Sequence, residues 1–177
     1  LTAGARIDSH TYSGISVSPR AGLLFVPASD LFVKLLYGRA FRAPNARELL
    51  VRVEPDENNQ VSYTNGNPNL KAESIDTVEF EISGKPMTDL SVRGALFGSL
   101  IQNEINKNSP NPPDPSLGSI FYDNLGSALA LGAETELRYR PRGYRLDLSY
   151  SFTNATQTAV GANGEELSRT AYEFPPH

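Results

Sequence analysis

The sequence predicts an all-β, antiparallel fold whose strands are built to cross a membrane, and three observations predict it. Apolar and polar residues alternate strictly over several stretches of about ten residues. Such stretches are about twice as long as the strands usual in water-soluble proteins. Short turns rich in Gly, Pro and Asp also alternate along the chain with long polar segments.

The clearest alternation runs from Tyr144 to Thr153, where every even position is apolar or aromatic and every odd one polar. Successive side chains of a strand point to opposite faces, so the pattern gives one apolar and one wet face. Leu129, Leu131, Ala133, Leu137 and Tyr139 likewise oppose Ala130, Gly132, Glu134, Glu136 and Arg138. Leu90, Val92, Leu96 and Leu100 oppose Ser91, Arg93 and Ser99, and Thr77 to Ile82 and Ile15 to Phe25 behave alike. Leu31 to Phe41 is noisier, because Phe32 and Leu36 fall on the polar face beside Lys34. Eleven residues rising about 3.3 Å each and tilted by about 40° span about 28 Å, close to the apolar band of an outer-membrane barrel.

The connections divide into two kinds. Pro27 to Asp30, Gly84 to Asp89 and Arg140 to Gly143 are short and made of turn-formers. Between them lie long polar segments, about 42–72, 105–119 and 155–172. Short turns on one side and long loops on the other is the asymmetry of an outer-membrane barrel. The whole reads as about seven strands, 1–8, 15–26, 31–41, 73–83, 90–104, 120–139 and 144–154, with an eighth starting over 173–177. The one helical prospect is a single turn over Asn45 to Leu50, with Pro44 near its start.

Arg93, Glu134, Glu136, Arg138, Arg145 and Asp147 all fall on the wet face. That face is either the interior of a barrel or the solvated side of a soluble sheet. Charge on a lipid-facing wall at mid-membrane costs about 2–4 kcal/mol for Arg or Lys, so its confinement to one face favours the interior.

Composition narrows the functions. The net charge of −4 carries no block of one sign, which gives nucleic acid no electrostatic footprint. With no Cys, thiol catalysis, disulfide scaffolds and Cys-based zinc sites are excluded together. His10 and His177 stand far apart without partnered carboxylates, so no metal site is expected. Asp56, Glu57 and Asn58 lack the spacing of a calcium loop. No nucleophile elbow, phosphate loop or dinucleotide fingerprint occurs, so neither an enzyme nor a cofactor is expected.

One stretch is more specific. It opens with Phe41-Arg42-Ala43-Pro44-Asn45 and closes with Asn67-Pro68-Asn69-Leu70-Lys71-Ala72-Glu73. It resembles the barrel of TonB-dependent outer-membrane receptors, in which an aromatic-R-A-P element ends one strand and N-P-x-L-x-x-E opens the next. Ala72 stands where Pro is usual. Ser18-Pro19-Arg20 with Ala21-Gly22-Leu23, Tyr122-Asp123-Asn124-Leu125-Gly126, Gly132-Ala133-Glu134-Thr135-Glu136-Leu137 and Phe174-Pro175-Pro176-His177 follow the family order, Ala133 replacing the usual Val or Ile.

The resemblance implies an outer-membrane location in a Gram-negative bacterium and a parent barrel of about 22 strands closed by a plug. No plug domain, TonB-contacting segment or closing aromatic-terminated strand is seen, and no leader opens the chain, so it reads as an internal piece of that barrel. The implied role is active uptake of a scarce nutrient, an iron–siderophore complex foremost. The implied partners are membrane lipid, the parent's plug and, through that plug, the TonB complex. Phe41, Arg42, Ala43, Pro44, Asn67, Pro68, Leu70 and Glu73 are then structural, with Arg42 and Glu73 a wall ion pair or loop staple. Candidates for ligand contact are Tyr12, Arg52, Tyr63 and Asn65, aromatic or polar residues on the expected outer loops. A passive porin, a small closed barrel, or a soluble β-sandwich binding module are the competing readings.

Overall fold

The computed structural model describes residues 1–12, 14–50, 54–55, 61–62, 64–108, 120–160 and 166–171. In chain order the elements are β1 (Thr2–His10), β2 (Gly14–Ala28), β3 (Leu31–Arg42), α1 (Ala46–Leu50), β4 (Glu54–Pro55), β5 (Val61–Ser62), β6 (Thr64–Asn65), β7 (Glu73–Met87), β8 (Leu90–Gln102), β9 (Ile105–Asn108), β10 (Ile120–Asn124), β11 (Ser127–Tyr139), β12 (Leu146–Val160) and β13 (Glu166–Ala171). The long strands form one open antiparallel sheet of eight, in the order β1-β2-β3-β7-β8-β11-β12-β13. Each strand thus lies beside its predecessor among the long ones, a meander joined by short turns except where long segments connect β3 to β7 and β8 to β11.

Register sorts the side chains, because residues paired across antiparallel strands share a face. One row reads Leu23, Leu35, Phe80, Leu96, Ala133 and Phe152. The adjacent row, on the opposite face, reads Leu24, Lys34, Glu81, Ala95, Glu134 and Ser151. In the first row Leu23, Leu35, Phe80, Leu96 and Phe152 are between 42% and 60% exposed. An apolar face this continuous exceeds what water-soluble monomers leave uncovered, and lipid is the solvent that suits it. The face has a definite height. It begins at Leu90, Tyr139 and Leu146 and ends at Leu100 and Leu129, where Arg39 and Asp76 share the row. Ten steps along tilted β8 span about 25 Å, the height of a barrel's apolar band. No described helix is long and apolar enough to cross a membrane; the strands carry that length.

At the end with short turns, the ladders of β2 with β3 and of β7 with β8 shift register between Phe25 and Ala28 and between Gly84 and Met87. Pro27 and Pro86 fall inside those shifts. Proline donates no ladder hydrogen bond, so it fits a bulge near a strand end. Neighbouring turns are tied together: Lys85 N donates to Asp30 O at 3.0 Å, and Arg140 N to Asp89 O at 2.8 Å.

The larger departures from the sequence reading lie at the long-loop end of the sheet, while β7 also runs four residues past the expected 83, to Met87. The expected strand 120–139 breaks at Leu125 and Gly126, with Gly126 at φ +87°, and its partner 90–104 breaks at Asn103, at φ +56°. Left-handed residues facing each other bend the hairpin, and its upper part, β9 and β10, joins β6 in a separate three-stranded sheet. The expected loop 155–172 instead continues β12 to Val160 and contains β13, which pairs with it over Thr156 to Val160. Thr156-Gln157-Thr158 is polar throughout, so the alternation that marks a half-buried strand is missing where the strand leaves the apolar band. The eighth strand of the sheet is therefore β13, and 173–177 lie outside the described residues.

Candidate functional site

Among the described residues polar groups gather most extensively in two places: a staple at the long-loop end of the sheet, and a charged network on its polar face.

The staple starts where β3 stops. Pro44 is buried and Asn45 caps α1: its Oδ1 accepts from Glu48 N at 2.9 Å, while Glu48 Oε2 accepts from Asn45 N at 2.8 Å. This reciprocal pair satisfies two helix-start donors. The buried Glu48 carboxylate also accepts from Arg42 Nη1 at 3.0 and 3.1 Å. Arg42 Nε donates to Glu73 Oε2 at 2.5 Å, and Glu73 Oε1 accepts from Ile105 N at 2.6 Å. One guanidinium thus joins β3, α1 and β7, and Glu73 extends the tie to β9.

Arg42 and Glu73 pair at a level beyond Arg39 and Asp76, so they sit roughly 8 Å past the edge of the apolar band, outside the hydrocarbon. The bond to Glu73 above all, with a second to Glu48, raises Arg42 above its ordinary pKa. Burial pushes Glu73 up, but the Arg42 bond, the Ile105 amide and the Arg42 charge outweigh it and hold the carboxyl below its ordinary value.

The second half of the motif closes over the first. Asn67 N donates to Glu48 O at 2.8 Å, and Asn67 Oδ1 accepts from Asn69 N at 2.9 Å, an Asx turn around Pro68. Gly66 lies so close to the end of α1 that a Cβ there would come within 2.4 Å of the Leu49 and Leu50 backbone. Leu70 then buries against Leu49 and Ile105, with Tyr122 packed alongside. Asn124 clamps Lys71, accepting from its N at 2.8 Å and donating to its O at 3.0 Å, and also donates to Asn103 O at 2.7 Å. Asn67 Nδ2 donates to Tyr122 O at 3.1 Å. Two motifs read separately in the sequence are one structural object.

On the polar face, Glu81 is 7% exposed and accepts from Lys34 Nζ and from Arg93 Nε, both at 2.8 Å. Arg93 reaches on to Glu134 at 3.2 Å, with Glu79 at 3.9 Å. Glu136 pairs with Arg138, and Arg145 Nε donates to Asp147 Oδ2 at 2.6 Å. All six predicted residues of that face are brought into pairs. Lys34, Glu79 and Glu81 join them, residues the sequence reading did not count among its site residues. The signal was present in the alternation of Glu79-Phe80-Glu81 opposite Lys34. Arg6 and Asp8 form a further pair on the same face, at 2.5 Å.

The ligand candidates are not brought together. Tyr12 is exposed in the β1–β2 turn, its ring 6.3 Å from that of His10. Asn65 is half-buried in β6, within the staple's small sheet. Arg52, Tyr63 and His177 lie outside the described residues. Among the described residues no three His, Cys, Asp or Glu converge on a metal position. The arrangement holds loops and lines a wall with charge.

Comparisons with known proteins agree with this geometry. A family model described as TonB dependent receptor-like, beta-barrel matches residues 1–177. No curated protein matches the chain. Among solved structures, the siderophore receptor PirA from Pseudomonas aeruginosa aligns at TM-score 0.67 and 20% identity, covering 89% of this chain and 33% of that one. PirA from Acinetobacter baumannii aligns at 0.62 and 16%, covering 89% and 28%. A mutant of the ferric enterobactin receptor PfeA from Pseudomonas aeruginosa, in complex with enterobactin, aligns at 0.65 and 22%, covering 90% and 24%. The chain thus spans a third or less of each of these proteins, and at these identities the likeness is one of fold. With an apolar-banded antiparallel wall, a stapled loop end and a family match from first residue to last, the chain belongs to the TonB-dependent receptor β-barrel family, and it is not an enzyme.

Proposed function

We propose that this chain is a section of the barrel wall of a Gram-negative outer-membrane receptor that actively takes up a scarce nutrient, foremost an iron–siderophore complex. The observation that carries the reading is the two-faced sheet, apolar over about 25 Å on one side and charge-lined on the other, in a chain matched throughout by the receptor-barrel family. The structural neighbours named above as siderophore receptors support the choice of cargo. The remaining strands and the plug belong to the same parent chain, and the TonB complex drives it through the plug. In this reading Tyr12, Arg52, Tyr63 and Asn65 are approached from outside by the cargo, while Arg42 and Glu73 hold the loop and do not touch it.

The test is uptake by cells lacking the parent gene. Deletion should abolish accumulation of at least one iron-loaded siderophore, and dissipating the proton-motive force should abolish it in the wild type. Uptake that persists after dissipation would replace this reading with a passive pore.

A further inference from the structure

Alternation along β3 sends Arg39 to the apolar side of the sheet, while Arg42 faces the other way. The staple therefore leaves Arg39 without a part, although both belong to the same strand end. Arg39 pairs in register with Asp76, in the row where the apolar band ends. Leu35, Val78 and Leu100, on the same face beside and below it, are 47%, 48% and 38% exposed. A cation is tolerated at that edge far better than at the centre of the band.

Arg39 is incompletely satisfied. Its Nη2 donates to Ser74 Oγ at 3.2 Å, and its Nε stands 3.8 Å from Asp76 Oδ2. Asp76 Oδ1 is taken by the Tyr37 hydroxyl at 2.7 Å. A guanidinium has five N–H donors in a fork that matches phosphate oxygens, and this side chain is 40% exposed. The surface combines a half-used cation with an apolar strip directly beneath it.

The geometry points to a lipid-headgroup site: Arg39, steadied by Asp76 and flanked by Tyr37 and Ser74, receives the phosphate of a membrane lipid whose chains lie against Leu35, Val78 and Phe80. The inference rests on the outer-membrane reading above. A free phosphate ion would use the guanidinium alone and gain nothing from the strip, so the lipid is the occupant.

The test uses the full-length parent, extracted from outer membranes in a mild detergent. It is incubated with phosphatidic acid or with diacylglycerol at equal mole fraction, and retained lipid is counted by native mass spectrometry. Phosphatidic acid is expected to be retained and diacylglycerol not, with Arg39→Gln lowering retention about tenfold and excess inorganic phosphate displacing nothing. Equal retention of the two lipids by the wild type overturns the site without need of any variant. So does displacement by inorganic phosphate, or undiminished retention by a folded Arg39→Gln protein. Fractionation separates the two readings. Recovery of the parent outside the outer membrane overturns the location, whereas an outer-membrane protein whose lipid retention ignores Arg39 overturns this site alone.

Discussion

Asn124 holds Lys71 by both backbone groups, accepting from its N at 2.8 Å and donating to its O at 3.0 Å across 53 positions of sequence. A side-chain amide satisfies a donor and an acceptor at once, which neither Asp nor Leu of similar size can do. The contact fastens the return of the long loop to the kink above β8 and β11. Asn124→Ala should loosen it by about 1–2 kcal/mol, since each neutral bond contributes about 1 kcal/mol net at an exposed position. Amide exchange at Lys71 in the full-length receptor should quicken about tenfold, while amides in β8 and β11 keep their protection. Unchanged exchange at Lys71 would remove Asn124 from the staple.

Glu73 supplies a pH dependence with a definite sign. Its carboxyl is held below the ordinary value in the fold, so the unfolded loop binds a proton more readily than the folded one. The stabilisation is complete above the ordinary Glu value of about 4.3 and is lost as pH falls through the depressed folded value. Pepsin cleavage within 66–72 should therefore rise steeply only below about pH 4. Glu73→Gln, which cannot ionise, should flatten that rise and be cut more readily than the wild type at the upper end of the pepsin range.

Leu148 and Ser149 are neighbours on opposite faces of β12, paired with Leu137 and Glu136. Leu148 is 55% exposed on the apolar side. Leu148→Arg should cost up to about 2–4 kcal/mol of assembly in the membrane. Ser149→Arg should be nearly neutral, because it places a cation beside Glu136. Heat-modifiable mobility of the two full-length variants, extracted from outer membranes, measures the contrast. Equal yields of folded protein would reject the assignment of faces.

Glu81 is the buried acceptor that two cations share. Lys34 and Arg93 both donate to it, and without it Lys34 loses its bond to β7 while Arg93 keeps Glu134 and, at longer range, Glu79. Glu81→Ala should lower stability of the parent in micelles by about 1–3 kcal/mol, less than the about 3–5 kcal/mol of breaking a fully buried pair, because both cations remain partly exposed. Adding Lys34→Ala should recover part of that loss, a coupling that a urea titration of the single and double variants reads directly. Additive effects would show that the two residues do not interact.

Gly66→Ala tests the closeness of the loop to α1, since its Cβ would lie 2.4 Å from backbone atoms that cannot move aside easily. The variant should lose protection at Leu49 and Leu70 and leave the wall strands unaffected, as amide exchange would show.

Much of this was legible in the chain. Alternation is a local property, so Tyr144 to Thr153 and Leu129 to Tyr139 announced a strand with two unlike faces without reference to any partner. Pro44 and Asn45 announced the helical turn of Ala46–Leu50 in the same local way. The breaks at Asn103 and Gly126 were not legible, because nothing in the neighbouring residues distinguishes a bent hairpin from a straight one. β13 was missed for the opposite reason: beyond the apolar band a strand has no need to alternate.

By itself the sequence determined which residues share the apolar face and which the polar one, and where the tight turns fall; the family entered through the resemblance of the strand-end motifs. The two faces follow from side-chain polarity at fixed spacing, and the turns from Gly, Pro and Asp. Only the tertiary structure decided that Arg42 would bridge Glu48 and Glu73, that Asn124 would hold Lys71, and that Glu81 would be enclosed between Lys34 and Arg93. Those contacts depend on the register between strands and on where a long loop returns. Both are set by the summed pairing of whole strands, and no short stretch of residues encodes them.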